Sequence, residues 1–442
     1  MSIRQLFLAA SLGVVLPAGA QGSATPLPAP LPASAAPATV TGQAALTTTF
    51  SLAQTLQAAR NNLDVSLARR ALAAAQGDVA SANHAPAPVL SAKASQMDLQ
   101  NGIGGGNLFS QKRIDKSIGL DWTWERGNKR ELRTLAAQRN ASAAQADIED
   151  ALVQQQLAAA SAFFDLLAAQ ERISQVDAIA RSAAQLAATA ARRVQAGDLA
   201  AQDAARTDIE AQRASTDLLT AKLDRQSAAL ALAQITGFTG PGTLVALPDW
   251  PARPAPDAAA DDNVIYPAIE ARADVRAAQQ RVEAARAALD VASAQKKADI
   301  TLGTSFDHFP GTSNRLLELR LQMPLYGILG GYNFQGEIAR AQAQLDQAQD
   351  LLEKTRRAAS ADLQRLQQDK QGAAARALSF ETIILPRARK VAEMAELAYS
   401  KGAMSLTDLI DARRTLRATL IEDLAARTDH AKASQAWLLR QP

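Results

Sequence analysis

The chain has 442 residues, of which 48% are hydrophobic but only 4% aromatic, and its 47 Lys and Arg nearly balance 44 Asp and Glu. That balance, with no dense basic run interleaved with aromatics, argues against a nucleic-acid partner. Cysteine is absent, which excludes disulfides, thiolate metal sites, cysteine nucleophiles and an acylated N-terminal cysteine anchor. Alanine supplies much of the apolar fraction, and alanine-rich chains favour closely packed helices over a thick core.

From the N-terminus, Arg4, the apolar stretch Leu6 to Leu16 and Ala18-Gly19-Ala20 read as a secretory signal over residues 1–20. Residues 21–46, rich in Pro, Ala and Thr, read as a flexible lead-in. With the signal removed, no run of about 18 apolar residues remains to form a membrane-spanning helix. A secreted chain of this kind is either periplasmic or an outer-membrane barrel.

The rest of the chain repeats itself. Gly197 and Gly402 lie 205 positions apart, as do Asp203 and Asp408. A period this long is no solenoid and points to two homologous halves, a first repeat over 47–237 and a second over 266–442, joined by a Pro-rich, irregular linker over 238–265. Each half reads in one order. A helix comes first (51–82 or 268–298). A strand pair follows (within 88–125 or 299–326), then a very long helix (129–196 or 333–401), a glycine turn, and a last helix (199–235 or 403–438). Each long helix would extend about 100 Å at about 1.5 Å per residue. The two shorter helices of a half, stacked end to end, would match it. Apolar steps such as Leu406, Ile410, Leu420 and Leu424 suit coiled-coil packing.

The strand segments alternate. Ile114, Ile118, Leu120, Trp122 and Trp124 point one way, with Lys116 as the exception, against Asp115, Ser117, Asp121 and Thr123. Residues 299–309 and 315–325 alternate likewise, and 88–100 only weakly. Ten-residue segments with one apolar face suit membrane strands, and equally a half-buried sheet in a soluble domain. Trp122 and Trp124, at a strand end, fit an aromatic girdle at the membrane interface. Hairpin-like turns fall at Gly102 to Gly106 and Pro310 to Asn314. Four strands cannot close a barrel, whereas three copies would supply about twelve.

Three features together resemble the TolC family of outer-membrane efflux proteins, from about residue 50 to 438. They are the duplicated order of elements, the strand-to-helix passage Met323-Pro324-Leu325-Tyr326-Gly327-Ile328-Leu329-Gly330-Gly331, and Tyr399-x-x-Gly402-x-x-Ser405-Leu406-x-Asp408-Leu409-x-Asp411-Ala412. The resemblance implies a homotrimer in outer-membrane lipid, with a twelve-stranded β-barrel continued by an α-helical tunnel. It also implies docking to a periplasmic adaptor and an inner-membrane pump, the chain itself being a passive exit for a tripartite efflux or type I secretion system. The first half departs from the pattern, since Trp122-Thr123-Trp124-Glu125-Arg126-Gly127 has no proline matching Pro324. Many relatives carry a lipidated cysteine, which this chain cannot.

Gly197 and Gly402, with Ser405, would form the periplasmic tips that meet the adaptor, or be ordinary helix reversals. Pro324, Gly330 and Gly331 would make the strand-to-helix bend. By the resemblance, Asp408 and Asp411, three residues apart on one helix face, line the tunnel's narrow end, where three copies make acidic rings. Tyr399 would tie an inner helix to the neighbouring turn through Asp203. Where some relatives carry an arginine for a second tie, this chain has Met404. His84, His308 and His430 match no metal-ligand spacing and read as surface or barrel residues. Gly327-x-x-Gly330-Gly331 lacks the Lys-Ser/Thr of a phosphate loop. No catalytic, cofactor or metal constellation stands out, so an enzyme is not expected. The rival reading is a periplasmic coiled-coil scaffold or adaptor without a barrel.

Overall fold

The structure is a computed structural model, and it describes residues 47–95, 100, 114–240, 242–252, 268–309, 313–326 and 331–441. The signal segment and the whole of the lead-in, residues 1–46, lie outside the described residues, as do the turn at 102–106, residues 310–312 of the second turn, Gly327 to Gly330, and 253–267 of the linker.

The first repeat opens with β1 (Thr47–Phe50), α1 (Leu52–Ala59) and α2 (Leu63–Ala82). Ser51 starts α1 with a capping box: its hydroxyl accepts from the Gln54 N–H at 3.2 Å, and its own N–H donates to Gln54 Oε1 at 2.9 Å. The single helix expected over 51–82 is therefore two. The break lies at Asn62, whose side chain accepts from the Asp64 N–H and donates to the Ile235 carbonyl at 2.8 Å. Asn62 restarts the helix as its N-cap and ties it to the end of the repeat. The second repeat breaks at the matching place. A helical turn ends at residue 271, Arg272 follows, and α5 runs Ala273–Ala294.

The strand pairs form one antiparallel sheet. Its order is β2 (Val89–Ser95), β3 (Asp115–Trp124), β5 (Ile300–Phe309) and β6 (Ser313–Gln322). The weakly alternating segment at 88–100 thus contributes β2. Leu90 pairs with Leu120, Leu120 with Thr304, and Thr304 with Leu319, so the apolar positions of the strands share one face.

The long helices follow. In the first repeat α3 spans Lys129–Gln195, 67 residues and so about 100 Å. In the second repeat the long helix expected over 333–401 runs as α6 (Gln335–Ser379), a π-helical turn (Phe380–Ile384) and α7 (Leu385–Ser400). Pro386 explains the interruption. It offers no N–H to the carbonyl one turn back, and the wider turn accommodates the mismatch. α6 and α3 each begin after a residue with positive φ, Phe334 and Asn128, both at 55°. The repeats end with α4 (Ala201–Thr236) and α8 (Leu406–Arg440).

Packing places four helices side by side. α2 and α4 lie along α3, α5 and α8 pack on both α3 and the second long path, and α6 and α7 form the far edge. Much of this contact is alanine on alanine, with Ala143, Ala159, Ala160, Ala221, Ala278 and Ala287 all buried. Larger side chains gather where β4 (Thr243–Ala246) pairs in parallel with β1. There Phe163, Phe164, Leu166 and Leu232 are fully buried against Leu244 and Ala246, and Trp250 stacks on Phe164. Each such side chain contributes about 1.5–3 kcal/mol. Gln170 clamps β4 through two hydrogen bonds of 2.9 Å to Ala246. The linker, expected to be irregular, thus holds an ordered strand.

A buried charge joins the start of α5 to two other helices. Arg272, only 5% exposed, pairs with Asp274 at 2.8 Å and Asp362 at 3.3 Å, and Arg440 of α8 reaches Asp274 at 3.7 Å. Burial opposes ionisation of Asp274, but the Arg272 hydrogen bond and charge outweigh it and hold its pKa below the ordinary value. For Asp362, burial is likewise outweighed, first by Arg365 and then by Arg272, and its pKa is also lowered. Arg272→Met leaves two half-buried carboxylates facing an apolar chain, a cost near the lower end of the about 3–5 kcal/mol of a broken buried pair, because both keep some water. Carboxylates with lowered pKa stabilise fully above the unfolded value of about 4 and lose that contribution as pH falls through the folded values. Far-UV circular dichroism melts should therefore show the Arg272→Met deficit at neutral pH and a deficit that shrinks progressively as pH falls below about 4.

Candidate functional site

Two parts of the molecule carry the sequence-predicted residues: the turns where the long helices reverse, and the four-stranded sheet.

Both reversals have the same construction. Asp198 N–H donates to the Arg193 carbonyl at 2.8 Å and Gly197 N–H to Val194 at 3.0 Å; Ala403 N–H donates to Ala398 at 2.9 Å and Gly402 N–H to Tyr399 at 3.0 Å. This is the Schellman pattern, which needs a left-handed residue. Gly197 and Gly402 supply it with φ of +81° and +75°. Nothing lies within 4 Å of a Cβ at either position, so the requirement is conformational and not steric. Beneath the turns Leu406, Leu409, Ile410 and Ala395 are buried together with Leu186, Leu199 and Met404. Met404, noted as standing where some relatives carry arginine, is therefore part of a small apolar core.

Ser405 caps α8. Its hydroxyl donates to Asp408 Oδ2 at 2.7 Å and accepts from the Asp408 N–H at 3.2 Å. Asp411, one turn on, is exposed and faces Arg414 at 3.6 Å. Arg414 also hydrogen-bonds Glu210 of α4. That bond is the main cause lowering the Glu210 pKa and raising that of Arg414. Asp411 therefore shares its surroundings with a cation, a feature not visible from the spacing of the acids.

Tyr399 does not meet Asp203 within the chain. Its hydroxyl accepts from Arg193 at 3.2 Å, and the Arg193 guanidinium lies 5.8 Å from the ring centre. Asp203 lies 3.9 Å from Arg206, which donates to Thr407 at 3.2 Å. The reason is position: Arg193 stands in the last turn of α3, where a cation also complements the helix end. The pair Arg192-Arg193 before Gly197 was the available signal. Between α3, α4, α7 and α8 lies a cavity of about 510 Å³, lined by Ile179, Leu186, Glu210, Arg413, Arg414 and Arg417.

In the sheet, Ile118, Leu120, Trp122, Trp124, Leu302, Phe306, Leu317, Leu319 and Leu321 are all exposed on one face. Trp122 and Trp124 stand at its helix-proximal end, 57% and 61% exposed. Lys116 lies on this face opposite His308. Ile114, ahead of the strand, is buried. The other face is polar: Thr123 and Thr301 hydrogen-bond at 3.1 Å, and Asp121 pairs with Arg320. At the strand-to-helix bend, Pro324 follows β6 outside regular structure, Gly330 lies outside the described residues, and Gly331 leads towards α6. Tyr326 and Tyr332 pack on Phe334 there, and the Tyr332 hydroxyl donates to Glu337 at 2.5 Å. Of the histidines, His430 is buried on α8, contrary to a surface position. No described helix is long and apolar enough to cross a membrane.

Residues 52–238 match the family described as outer membrane efflux protein. The cobalt-zinc-cadmium resistance protein CzcC of Cupriavidus metallidurans is 27% identical over 365 residues, covering 81% of this chain and 82% of the relative. Among solved structures, a membrane protein from Pseudomonas aeruginosa superposes with a TM-score of 0.73 at 17% identity, over 88% of this chain and 93% of the other. The outer membrane protein VceC of Vibrio cholerae matches with a TM-score of 0.69 at 18% identity, over 88% and 96%. Residues 52–238 thus resemble the outer membrane efflux protein family, the alignment with CzcC extends the likeness over most of the chain, and the chain shares the fold of these solved outer-membrane proteins.

Proposed function

We propose that three copies of the chain close into a twelve-stranded barrel and a continuous helical tunnel. This assembly gives passive exit to cargo delivered by an inner-membrane pump through a periplasmic adaptor, in a tripartite efflux or type I secretion system. One observation carries the reading: the sheet is open at β2 and β6 and exposes a largely apolar face, interrupted by Lys116 and His308 towards one end. Lipid does not tolerate unpaired strand edges, and four strands repeated three times reach a closed number. The helix layer has matching edges. Ile209, Leu219, Leu223 and Leu230 on α4, and Val391, Met394 and Leu397 on α7, are exposed in the single chain. A head-to-tail contact between these edges would bury both and close as a ring.

In this assembly the signal 1–20 is removed, 21–46 leads in, and the repeats 47–237 and 266–442 meet through 238–265. Trp122 and Trp124 form the periplasmic girdle, while Pro324, Gly330 and Gly331 bend the chain from strand to helix. Gly197, Gly402 and Ser405 are the tips offered to the adaptor. Asp408 and Asp411 ring the narrow end, and Tyr399 and Asp203 belong to the same gate, with Arg193 holding Tyr399. Opening is a shift of packed helices relative to one another. The name of the CzcC relative makes divalent metal ions the first cargo to test.

The acidic rings predict stepwise, cation-preferring currents in planar bilayers, with weaker cation preference in an Asp408→Ala/Asp411→Ala variant. A protein that is soluble, non-trimeric and silent would instead be a periplasmic scaffold. The tip turn gives a second expectation. Gly402→Ala forces a side chain into left-handed backbone at about 1–2 kcal/mol, and Gly402→Asn costs less because asparagine accepts that region. Hydrogen exchange of the peptide spanning 395–410 should rise more in Gly402→Ala than in Gly402→Asn.

A further inference from the structure

The polar face of the sheet contains an arrangement that neither fold nor family assigns. Asp121, Gly303 and Arg320 stand in one register row across β3, β5 and β6. Arg320 reaches past Gly303 and bonds Asp121 Oδ1 through Nη2 at 2.5 Å. The two residues are separated by a strand, about 9.6 Å at about 4.8 Å per strand spacing. Such a span is bridged only by a side chain lying flat on the sheet. Gly303 provides the room. A Cβ there would overlap the Asp121 carboxylate and stand 3.2 Å and 3.3 Å from Nε and Nη2 of Arg320. Glycine in a strand interior weakens the strand and marks a close approach, and here the approaching group is a charge pair.

We propose that Asp121, Gly303 and Arg320 form a luminal latch that holds Arg320 flat against the barrel wall and so preserves the cation preference of the pore. The proposal rests on the closed barrel described above, in which this face lines the lumen. The other charges on the face are Lys93, Asp115, Asp307 and Glu318, an acidic excess. Asp307 is buried and accepts from the Ser305 hydroxyl at 3.1 Å, so three latched arginines leave Asp115 and Glu318 as the acids open to water. Three released arginines would extend into the lumen as a cationic ring, which opposes cations and narrows the path.

The test is a double-mutant cycle of Asp121→Asn and Arg320→Gln, made in the wild type and again with Gly303→Ala. Two readouts are used: the temperature at which the detergent-purified trimer dissociates on gels, and the reversal potential in a potassium chloride gradient. In the wild-type background each single change should lower the dissociation temperature and the double change should lower it no further. With Gly303→Ala that coupling should vanish. Reversal potentials should move away from cation preference in Asp121→Asn and Gly303→Ala, and towards it in Arg320→Gln. Independent, additive single effects in the wild-type background would overturn the latch, as would coupling that survives Gly303→Ala. Unmoved reversal potentials would remove its role in selectivity. The gel readout does not depend on an open tip. Failure to obtain any β-rich, detergent-stable trimer would instead overturn the barrel, and the lumen with it.

Discussion

Backbone hydrogen bonding governs the arrangement of the chain. A strand in lipid must satisfy every N–H and C=O within the protein. The four-stranded sheet satisfies its interior strands but leaves β2 and β6 with one edge each. Its apolar face is as unsuited to water as its edges are to lipid. Leu317, Leu319 and Leu321 are 71%, 79% and 68% exposed on an edge strand, which in a soluble protein would invite aggregation. A barrel shared among copies resolves both conflicts at once. The short β1–β4 pair has a different part: it ties the start of the first repeat to the linker that follows it, beside the thickest apolar cluster among the described residues.

The helices face another constraint. Alanine lets α3 approach α4 and α5 closely, but it contributes little burial per residue. Cohesion is therefore supplemented by interhelical charge pairs, such as Arg172 with Asp224, Arg427 with Glu171 and Lys432 with Asp165. Most of these are exposed and contribute about 0–1 kcal/mol each. Arg272 is the exception, and it lies where the second repeat's first helix breaks. The strongest fastenings thus sit away from the reversals, at the aromatic cluster and at Arg272.

Much of this was legible in the sequence because its signals are periodic. Alternation around Trp122 and around Leu319 specified strands and their common face. The glycines at 197 and 402 located both reversals. The order of elements was legible because it occurs twice. What escaped depends on partners distant in sequence. Thr47–Phe50 is too short to show a period, and its pairing partner lies beyond Gly237. The break at Asn62 is explained by a bond to Ile235, and the π-helical turn by one proline in an otherwise regular pattern. The choice of Arg193 over Asp203 by Tyr399 is decided by side-chain reach across two helices.

These differences in fastening bear on how a duct of this kind can move. Near the reversals the apolar core is small, formed by Leu406, Leu409 and Ile410, and the polar ties around it, Arg193 to Tyr399, Arg206 to Thr407 and Arg414 to Glu210, lie at the exposed surface. A neutral hydroxyl and an exposed guanidinium make a modest bond. Alanine surfaces interlock shallowly, so α7 and α8 can shift against α3 without withdrawing large side chains from deep pockets. The same displacement near Phe163 and Phe164 would open cavities, each costing several kcal/mol. Motion is therefore least costly at the glycine turns and most costly beside β1 and β4, at the middle of α3, so the end that carries the turns can yield about a fixed waist.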